Sequence, residues 1–218
     1  MNKIQVGIIG ATGYTGLELV RILINHPGAE LAFITSESYA GKTFSDIHSQ
    51  LEGIADFPLV SIKEADLSQA DVLFLALPHG VSMEFVKEHR DKKLKMIDLS
   101  GDFRLKEQSE YEKWYQTPHI FPEGIAEAVY GLPELYREQI KKARLVANPG
   151  CYPTSCILAM APLIKNQWID NQSLIFDSKS GITGAGAKAK EITHFPRAYD
   201  NFNAYGLFKH RHTPEIEE

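Results

Sequence analysis

The first stretch of the chain constrains the fold most strongly. Residues 4–9 form a near-continuous apolar run rich in β-branched side chains, which is typical of a central strand in a parallel sheet. A glycine-rich turn over residues 10–16 follows, and apolar residues then recur at helical spacing until a His-Pro-Gly tripeptide ends the helix. Residues 31–34 form a second apolar strand. The order strand, glycine turn, helix, strand predicts a βαβ unit.

The glycine turn has the sequence GATGYTG and follows a GxxGxxG pattern. Small residues at such a turn let the backbone approach a pyrophosphate group, which then lies at the positive end of the helix. Glycines that only close a tight turn are the alternative, but the flanking strand and helix favour a dinucleotide site. The predicted cofactor-binding residues of this turn are Gly10, Thr12, Gly13, Tyr14, Thr15 and Gly16.

The end of the second strand indicates which dinucleotide binds. NAD-binding domains favour an acidic residue there, which bonds to the ribose hydroxyls. Here Ser36 and Ser38 can donate hydrogen bonds to a 2′-phosphate, and Lys42 can neutralise its charge. Glu37 favours NAD if its side chain points inward. We predict NADP as the cofactor and assign the two serines and the lysine to its binding.

Two further buried strands are predicted over residues 71–77 and 95–99. The first ends in Pro78-His79-Gly80, and because the carboxyl ends of parallel strands face the cofactor crevice, Pro78 is predicted to contact the cofactor. His79 is predicted to be structural. Arg104 follows the second strand, where its guanidinium either holds an anionic substrate group in a forked hydrogen bond or pairs with a nearby carboxylate at the surface.

A second informative turn, Asn148-Pro149-Gly150-Cys151, lies between a short apolar run and a buried helix. Backbone N–H groups and the positive end of the helix dipole favour a thiolate at such a cysteine and can hold an oxyanion beside its sulfur. A small buried cysteine is the plain alternative. We predict that Cys151 is a nucleophile and that Cys156, inside the helix, only packs.

The last part of the chain carries two more candidate segments. Residues 173–178 alternate as a half-buried strand does, and a second glycine cluster follows them. In this cluster Ser180, Gly181 and Gly184 either cradle phosphate or nicotinamide or form a flexible loop. His210 and His212 are two residues apart, so in a strand they would share one face.

Composition narrows the classes of partner. The 218 residues carry a net charge of −5 and no basic block, which argues against nucleic acid. Two cysteines without a secretory leader predict reduced thiols and a cytoplasmic protein. No apolar stretch is long enough to span a membrane, so no membrane partner is expected.

Together these motifs resemble the N-acetyl-γ-glutamyl-phosphate reductase family, which is related to aspartate-semialdehyde dehydrogenase. Besides GxxGxxG, the resemblance rests on Asn-Pro-Gly-Cys-Tyr-Pro-Thr at residues 148–154, Ser-Gly-x-x-Gly-Ala-Gly-x-Lys from Ser180 and His-Arg-His-Thr-Pro-Glu-Ile from His210. It covers nearly the whole chain. Family members continue well beyond the last motif, so the chain is expected to be a truncated, N-terminal part of a longer protein.

The strand–helix units and the resemblance imply an α/β fold. A Rossmann-type, doubly wound parallel sheet is expected, followed by an incomplete α+β catalytic domain. Residues 1–150 would form the NADP-binding domain, and residues 151–218 the N-terminal part of the catalytic and dimerisation domain. The resemblance also implies a homo-oligomer.

The resemblance implies the reaction as well: NADPH reduces N-acetyl-γ-glutamyl phosphate to N-acetylglutamate semialdehyde and inorganic phosphate, a step of arginine biosynthesis. Cys151 would form a thioester, and His210 rather than His212 would transfer the proton at the reacting oxygen. The implied substrate-binding residues are Arg104, Asn148 and His212.

Three alternatives stay open. The two histidines and a cysteine are candidate zinc ligands. The chain could also bind NADP and catalyse nothing, or it could belong to a reductase of aspartyl or aminoadipyl phosphate. A thiol-directed reagent tests the enzyme hypothesis, which requires Cys151 to react faster than Cys156, and zinc analysis tests the metal site.

Overall fold

One parallel sheet organises residues 4–147. The computed structural model describes residues 2–91 and 93–218. The strands are β1 (Ile4–Ile9), β2 (Ala29–Thr35), β3 (Leu59–Val60), β4 (Val72–Leu75), β5 (Lys95–Asp98), β6 (Val129–Tyr130) and β7 (Leu145–Ala147). They lie in the order β3-β2-β1-β4-β5-β7-β6, and each paired strand runs parallel to its neighbour.

The sheet is wound in two directions from its centre. From β1 the chain proceeds through β2 to β3 on one side, whereas β4, β5 and β7 extend the sheet on the other side. Strands β1 and β4 therefore lie side by side at the point where the strand order reverses. This confirms the predicted doubly wound sheet. Ligands of such sheets bind at this point, beyond the carboxyl ends of the strands.

The helices lie between and after the strands. They are α1 (Tyr14–Leu23), α2 (Phe44–Ile47), α3 (Val81–Glu88), α4 (Gln108–Tyr115), α5 (Pro122–Glu127), α6 (Pro133–Lys142), α7 (Cys151–Lys165), α8 (Phe195–Ala198) and α9 (Thr213–Glu217). Helices α1 and α3 follow β1 and β4, so their N-termini point toward the crevice at the switch point. Within the described residues, none of the helices has the length and apolar composition that a membrane span requires.

Two hydrophobic cores cover the two faces of the sheet. Ile8 packs with Val20 of α1 in one core, and Ile9 packs with Leu75 of β4 in the other. Successive strand residues point to opposite faces, so these neighbours in β1 supply both cores. The unbroken apolar run at residues 4–9 therefore reflects burial on both faces of the sheet.

Residues 151–218, all of which the structure describes, contain helices and loops but no strand. The strand predicted over residues 173–178 is wrong: residues 174–178 form a loop in which Ile175 is 93% exposed. A strand is stable only when a neighbouring strand pairs with its backbone groups, and none lies beside this segment. The predicted α+β character is therefore absent from this stretch.

Candidate active site

The glycine turn after β1 has a backbone that only glycine accommodates easily. Gly10 has a φ of +87°, and a Cβ at this position would lie 2.6 Å from the carbonyl oxygen of Ala76. A Cβ on Gly16 would lie 2.2 Å from the carbonyl oxygen of Ala11, so the start of α1 packs directly on the turn. The first and third glycines of the GxxGxxG pattern thus correspond to steric requirements of the fold.

The N-terminus of α1 is open toward the crevice. Its N-cap residue Gly13 makes no side-chain capping hydrogen bond, and the first turn contains no acidic residue. A Cβ on Gly13 would have no heavy atom within 4 Å. The free N–H groups of the first turn and the helix dipole therefore face a space that suits a phosphate group.

The residues after β2 are arranged in a way that favours a 2′-phosphate. Ser36 is buried, and its Oγ lies 3.1 Å from Thr12 Oγ1. The carboxylate of Glu37 accepts a hydrogen bond of 2.7 Å from the backbone N–H of Ile62, just beyond β3. Lys42 is exposed, with its Nζ 5.5 Å from the centre of the Tyr39 ring. Glu37 is thus bonded toward β3, while Ser36 lies against the glycine turn through Thr12.

The loop after β4 is held by a buried carboxylate. Asp102 accepts hydrogen bonds from the N–H groups of Gly80 and Met83, at the start of α3. His79 Nδ1 accepts a hydrogen bond of 2.8 Å from the N–H of Gly101. Burial, followed by the charge of Arg211, lowers the pKa of His79 to about 4. A neutral, backbone-bonded imidazole agrees with a structural role for His79, and Pro78 precedes it at the crevice.

Cys151 is the first residue of α7 and is exposed. Gly150 is the buried N-cap residue, and no side chain caps the N–H groups at the start of the helix. Cys156 is buried one turn further along, with its Sγ 3.6 Å from Ser178 Oγ. Both thiols are free. The exposed sulfur at the helix start is therefore the one that can meet a substrate.

The buried carboxylate of Glu215 holds the cysteine turn in place. Its Oε1 accepts hydrogen bonds of 2.8 Å from the N–H of Gly150 and from the hydroxyl of Tyr130. Its Oε2 lies 3.4 Å from Nη1 of Arg104, and only 2% of the Glu215 side chain is exposed. Burial, and then the charge of Glu215, raise the pKa of Tyr130, which keeps the hydroxyl a donor.

The guanidinium of Arg104 is occupied by protein groups. Besides Glu215, it donates from Nε to the carbonyl oxygen of Asn148, at 2.8 Å, and from Nη2 to that of Leu99, at 2.9 Å. Its side chain is 7% exposed. This geometry gives Arg104 a positioning role for the cysteine turn, and its substrate contact, like that of Asn148, stays a prediction.

His210 and His212 lie in a turn before α9 and not on a strand, yet both rings pack against Tyr152, with centroid distances of 5.2 and 5.8 Å. A Cβ on Gly150 would lie 2.5 Å from His212 Nε2, so this imidazole lies directly against the cysteine turn. The N–H of His212 donates to His210 Nδ1 at 3.2 Å. Neutral His210 therefore carries its proton on Nε2.

Both histidines are biased toward the neutral form. Burial, followed by the charge of Arg211, lowers the pKa of His210. Burial lowers the pKa of His212 to about 3, with smaller contributions from His210 and Arg104. The Nδ1 atom of His212 is buried, and no hydrogen-bond partner lies near it in the described part of the chain.

These shifts predict a change in the acid stability of the protein. Because the folded-state pKa of His212 lies below its ordinary value, the unfolded chain binds this proton more readily, and the stabilisation is lost as the pH falls from about 6.5 to about 3. We expect His212→Asn to show a smaller loss of unfolding free energy than the parent chain between pH 6.5 and pH 4 in urea titrations. His26→Asn, at an exposed position, is the control. An unchanged pH profile in His212→Asn would contradict the prediction.

Two tyrosines complete the surroundings of Cys151. The hydroxyls of Tyr152 and Tyr205 lie 2.6 Å apart, and the Tyr205 ring packs on His210 with a centroid distance of 5.6 Å. Burial and the hydrogen bond to Tyr152 raise the pKa of Tyr205 to about 12. The sequence analysis did not single out Tyr205 or Glu215. For Glu215 a signal was present, namely an acidic residue inside the same segment as the two histidines.

The second glycine cluster lies apart from these groups. Ser180, Gly181 and Gly184 are exposed, and Ser180 Oγ donates within the loop, to the carbonyl oxygen of Gly181 at 2.9 Å. The structure therefore does not bring this cluster to the crevice, and its role in cofactor binding stays a prediction. Across residues 2–91 and 93–218, no group of three or more His, Cys, Asp or Glu side chains is arranged to hold a metal ion.

Two family descriptions match the chain in sequence. "Semialdehyde dehydrogenase, NAD binding domain" matches residues 5–143, and "Semialdehyde dehydrogenase, dimerisation domain" matches residues 151–218. The first covers the parallel sheet up to α6, and the second begins at Cys151.

Curated relatives share about half of the residues. The chain is 50% identical over 216 residues to N-acetyl-gamma-glutamyl-phosphate reductase of Desulforamulus reducens and 51% identical over 216 residues to that of Pelotomaculum thermopropionicum. Each match covers 99% of this chain and 62% of the relative. The chain thus spans less than two thirds of the length of these relatives.

Solved structures share the fold. Aspartate semialdehyde dehydrogenase II of Vibrio cholerae, complexed with ASA, has a TM-score of 0.55 at 22% identity, covering 75% of this chain and 47% of that one. Aspartate semialdehyde dehydrogenase with NADP from Candida albicans has a TM-score of 0.54 at 18% identity, covering 76% of this chain and 48% of that one. At these identities the likeness concerns the fold alone.

Proposed function

Because the chain belongs to the semialdehyde dehydrogenase family, we propose that its protein reduces N-acetyl-γ-glutamyl phosphate with NADPH to N-acetylglutamate semialdehyde and inorganic phosphate, in arginine biosynthesis. The observation that carries this proposal is the exposed Cys151 at the start of α7, beside two histidines and an N-cap held by a buried carboxylate. The names of relatives at about half identity support the choice of substrate.

Cys151 is the nucleophile in this proposal. Its thiolate attacks the acyl carbon, the S–C bond forms, the C–O bond to the phosphoryl group breaks, and phosphate leaves with the bonding electrons. The carbonyl oxygen becomes negative during the attack, and backbone N–H groups at the start of α7 stabilise it. Glu215 bonds to the N–H of Gly150 and so keeps the turn in one conformation throughout.

The second half of the reaction reduces the thioester. When bound, NADPH supplies the hydride. His210 then protonates the oxygen, because its Nδ1 accepts from a backbone N–H and its proton is on Nε2. As the S–C bond breaks, His210 Nε2 takes this proton back, the electrons of the O–H bond complete the carbonyl group, the aldehyde leaves, and Cys151 is a thiolate again.

The residues around the first glycine turn fit NADP. The open N-terminus of α1 suits the pyrophosphate, and Ser36, Ser38 and Lys42 suit the 2′-phosphate, because Glu37 is bonded to Ile62 and turned away. Tyr14 and Thr15 begin α1, and Pro78 lies in the loop after β4. The second glycine cluster, with Ser180, Gly181 and Gly184, would have to move to reach the cofactor.

This assignment predicts the effect of one charge change. We expect the parent chain to bind NADPH more tightly than NADH. Lys42→Ala should weaken the binding of NADPH by about 10-fold or more, because a hydrogen bond to a charged group is lost. Titration calorimetry with both nucleotides measures this. NADH affinity should stay within about two-fold, as for surface changes generally. Lys3→Ala is the control, because it removes the same charge just before β1, at the end of the sheet where the strands begin. If the parent chain binds NADH as tightly as NADPH or more tightly, the assignment is refuted.

We also propose the organisation of the chain. Residues 1–150 are assigned to the nucleotide-binding domain and residues 151–218 to the beginning of a catalytic and dimerisation domain. Exposed apolar side chains in the second part, such as Phe208 at 97% exposure, fit a surface that is covered in a homo-oligomer. The two free thiols fit a reducing compartment such as the cytoplasm.

The reverse reaction tests the proposed function. N-acetylglutamate semialdehyde, inorganic phosphate and NADP are supplied, and NADPH formation is followed by absorbance, in parallel for this chain and for an extended chain of the relatives' length. Aspartate and aminoadipate semialdehydes serve as competing substrates. Preference for either competitor, or no phosphate-dependent turnover by the extended chain, contradicts the proposal.

A second candidate function applies to this chain and not to the extended chain, namely binding of the nucleotide without catalysis. The segment at residues 174–209 exposes several large apolar side chains, and the chain spans 62% of the length of the Desulforamulus reducens relative. A chain that binds NADPH in the calorimeter and yet forms no NADPH in the reverse assay would be a nucleotide-binding module. The extended chain distinguishes this case from failure of the reaction itself.

A further inference from the structure

The start of helix α3 is closed by a carboxylate from another part of the chain. Asp102 is fully buried and accepts hydrogen bonds from the N–H groups of Gly80, at 2.9 Å, and Met83, at 3.0 Å. Gly80 is the N-cap residue of α3, and it has no side chain that could cap these groups itself. A carboxylate at the positive end of a helix satisfies free N–H groups and is stabilised by the helix dipole.

This contact distinguishes the two helix N-termini at the crevice. The first turn of α1 has neither a capping side chain nor an acidic residue, so its N–H groups are available to a pyrophosphate. The first turn of α3 already binds the carboxylate of Asp102. A phosphate group would therefore meet a negative charge at α3 and an open site at α1.

The strand order indicates which part of the dinucleotide lies near α3. Strands β2, β1 and β4 are consecutive in the sheet. With the 2′-phosphate at the end of β2 and the pyrophosphate at the turn after β1, the nicotinamide half extends toward the end of β4. Residues 78–80 follow β4 and lead into α3, so the conformation of this loop determines how the reacting end of the cofactor is seated.

The segment that carries Asp102 also bonds to the cysteine turn. The carboxylate of Asp98 accepts a hydrogen bond of 2.5 Å from the hydroxyl of Ser82 in α3, and its carbonyl oxygen accepts one of 2.8 Å from the N–H of Asn148. The Nε of Arg104 donates to the carbonyl oxygen of Asn148. Residues 98–104 therefore join the start of α3 to the turn that precedes Cys151.

The carboxylate of Asp102 is held in one orientation by buried neighbours. Its Oδ1 accepts a hydrogen bond of 2.8 Å from the hydroxyl of Tyr111, and its carbonyl oxygen lies 2.8 Å from His119 Nε2. Burial, followed by the charge of Asp102, raises the pKa of Tyr111, so this hydroxyl stays a donor. The geometry of the α3 start is thus fixed from the protein interior.

We propose that Asp102 is a positioning residue for the cofactor, which by closing α3 holds residues 78–80 in the conformation that seats the nicotinamide half of the dinucleotide. Gly80 has a φ of +84°, so this loop conformation also requires a glycine. Asp102 itself touches neither cofactor nor substrate. The inference deepens the proposed function, on which its consequence for hydride transfer rests.

The first experiment compares two nucleotides by titration calorimetry in this chain. NADPH contains the nicotinamide half, whereas 2′,5′-ADP contains only the adenosine side with its phosphates. In Asp102→Ala the Kd of NADPH should rise by about 10-fold, because the charged hydrogen bonds that order the loop are lost. The Kd of 2′,5′-ADP should stay within about two-fold. An unchanged Kd for NADPH, or equal losses for both nucleotides, would overturn the proposal.

Asp102→Asn tests position against charge. The N–H groups of Gly80 and Met83 both donate to Oδ2, so an amide oxygen at that place keeps both hydrogen bonds, while the amide nitrogen can donate to the Tyr111 hydroxyl oxygen. We expect Asp102→Asn to restore the Kd of NADPH to within about two-fold of the parent value. A loss as large as in Asp102→Ala would show that the charge matters and would overturn the proposal.

Tyr111→Phe is the matched control, because it removes a hydrogen bond from the same carboxylate and leaves those from Gly80 and Met83 in place. Its Kd for NADPH should stay within about two-fold, and a loss equal to that in Asp102→Ala would contradict the proposal. Gly80→Ala replaces Asp102→Ala if the latter does not fold. A Cβ there has no heavy atom within 4 Å, so the variant only strains the loop and should weaken NADPH but not 2′,5′-ADP.

The second experiment separates the two chemical steps in the extended chain. Acylation of Cys151 by the acyl phosphate without nucleotide is followed by mass spectrometry, and hydride transfer at saturating NADPH by absorbance. Asp102→Ala should slow hydride transfer by about 10²-fold, as for a misplaced reactant, and leave acylation within about two-fold. Slowed acylation with normal hydride transfer would overturn the proposal. If the parent extended chain is not acylated, the proposed function fails, and the calorimetry still decides the role of Asp102.

Discussion

Cys151→Ser should remove acyl-phosphate reduction from the extended chain, with kcat lower by on the order of 10⁴-fold or more, as expected when a covalent nucleophile is lost. A serine hydroxyl at the same exposed helix start is a poor nucleophile, because at its ordinary pKa it keeps its proton without strong base assistance. NADPH affinity should not change, since the glycine turn and the end of β2 hold the nucleotide. Single-turnover acylation, read by mass spectrometry, and steady-state turnover together measure the effect.

Cys156→Ser is the matched control for this prediction. It makes the same chemical change at a buried thiol, one turn further along α7, where the Sγ already lies 3.6 Å from the Ser178 hydroxyl. We expect its turnover to stay near that of the parent, and iodoacetamide to label Cys151 faster than Cys156. Near-normal turnover of Cys151→Ser would exclude the covalent mechanism, and equal loss in both variants would point to a folding effect.

His210→Asn should lower turnover by about 10²- to 10⁴-fold, the usual range for one acid/base group. The imidazole accepts from the backbone at Nδ1, which leaves Nε2–H as the donor toward the reacting oxygen. An asparagine side chain retains a hydrogen-bonding amide but cannot exchange a proton near neutral pH. The kcat of the reverse reaction, with NADPH affinity as the folding control, measures the effect.

His212→Asn provides the comparison, because both imidazoles pack on the same Tyr152 ring. Its effect should be smaller: burial lowers the pKa of His212 to about 3, so this imidazole does not take up a proton near neutral pH. If His212→Asn is the more damaging change, the acid/base assignment is wrong and the imidazole against Gly150 performs the proton transfer.

Much of the structure of the first 147 residues could be predicted from local sequence. An apolar strand, a glycine turn and an amphipathic helix are each specified by neighbouring residues, and repeated strand–helix units leave a parallel sheet as the main solution. Gly10 and Gly16 illustrate this, because the positive φ and the close backbone approach found there are what the glycines indicated. The same local reasoning failed at residues 173–178. Alternation describes which faces a strand would have, and it says nothing about whether a pairing strand is present.

The candidate site likewise contains residues that local sequence identifies and residues that it does not. Cys151 could be singled out from the sequence, because a cysteine after Asn-Pro-Gly and before a helix is a local pattern with a chemical consequence. Glu215 could not, since the groups it bonds to are 65, 85 and 111 residues away along the chain. The contacts of Arg104 were decided in the same way. From the sequence Arg104 either held an anionic substrate group or paired with a carboxylate, and only the folded chain places Glu215 and two backbone carbonyls on it.

The sequence by itself determined which backbone segments form the sheet and which residue can be the nucleophile, because backbone conformation and helix-end electrostatics depend on a few adjacent residues. Tertiary structure alone decided which charges are balanced. A charge is balanced by whatever the fold brings within a few ångströms of it, whether or not that group is near in the chain. For this protein the buried Glu215 neutralises Arg104 and positions the cysteine turn through the N–H of Gly150.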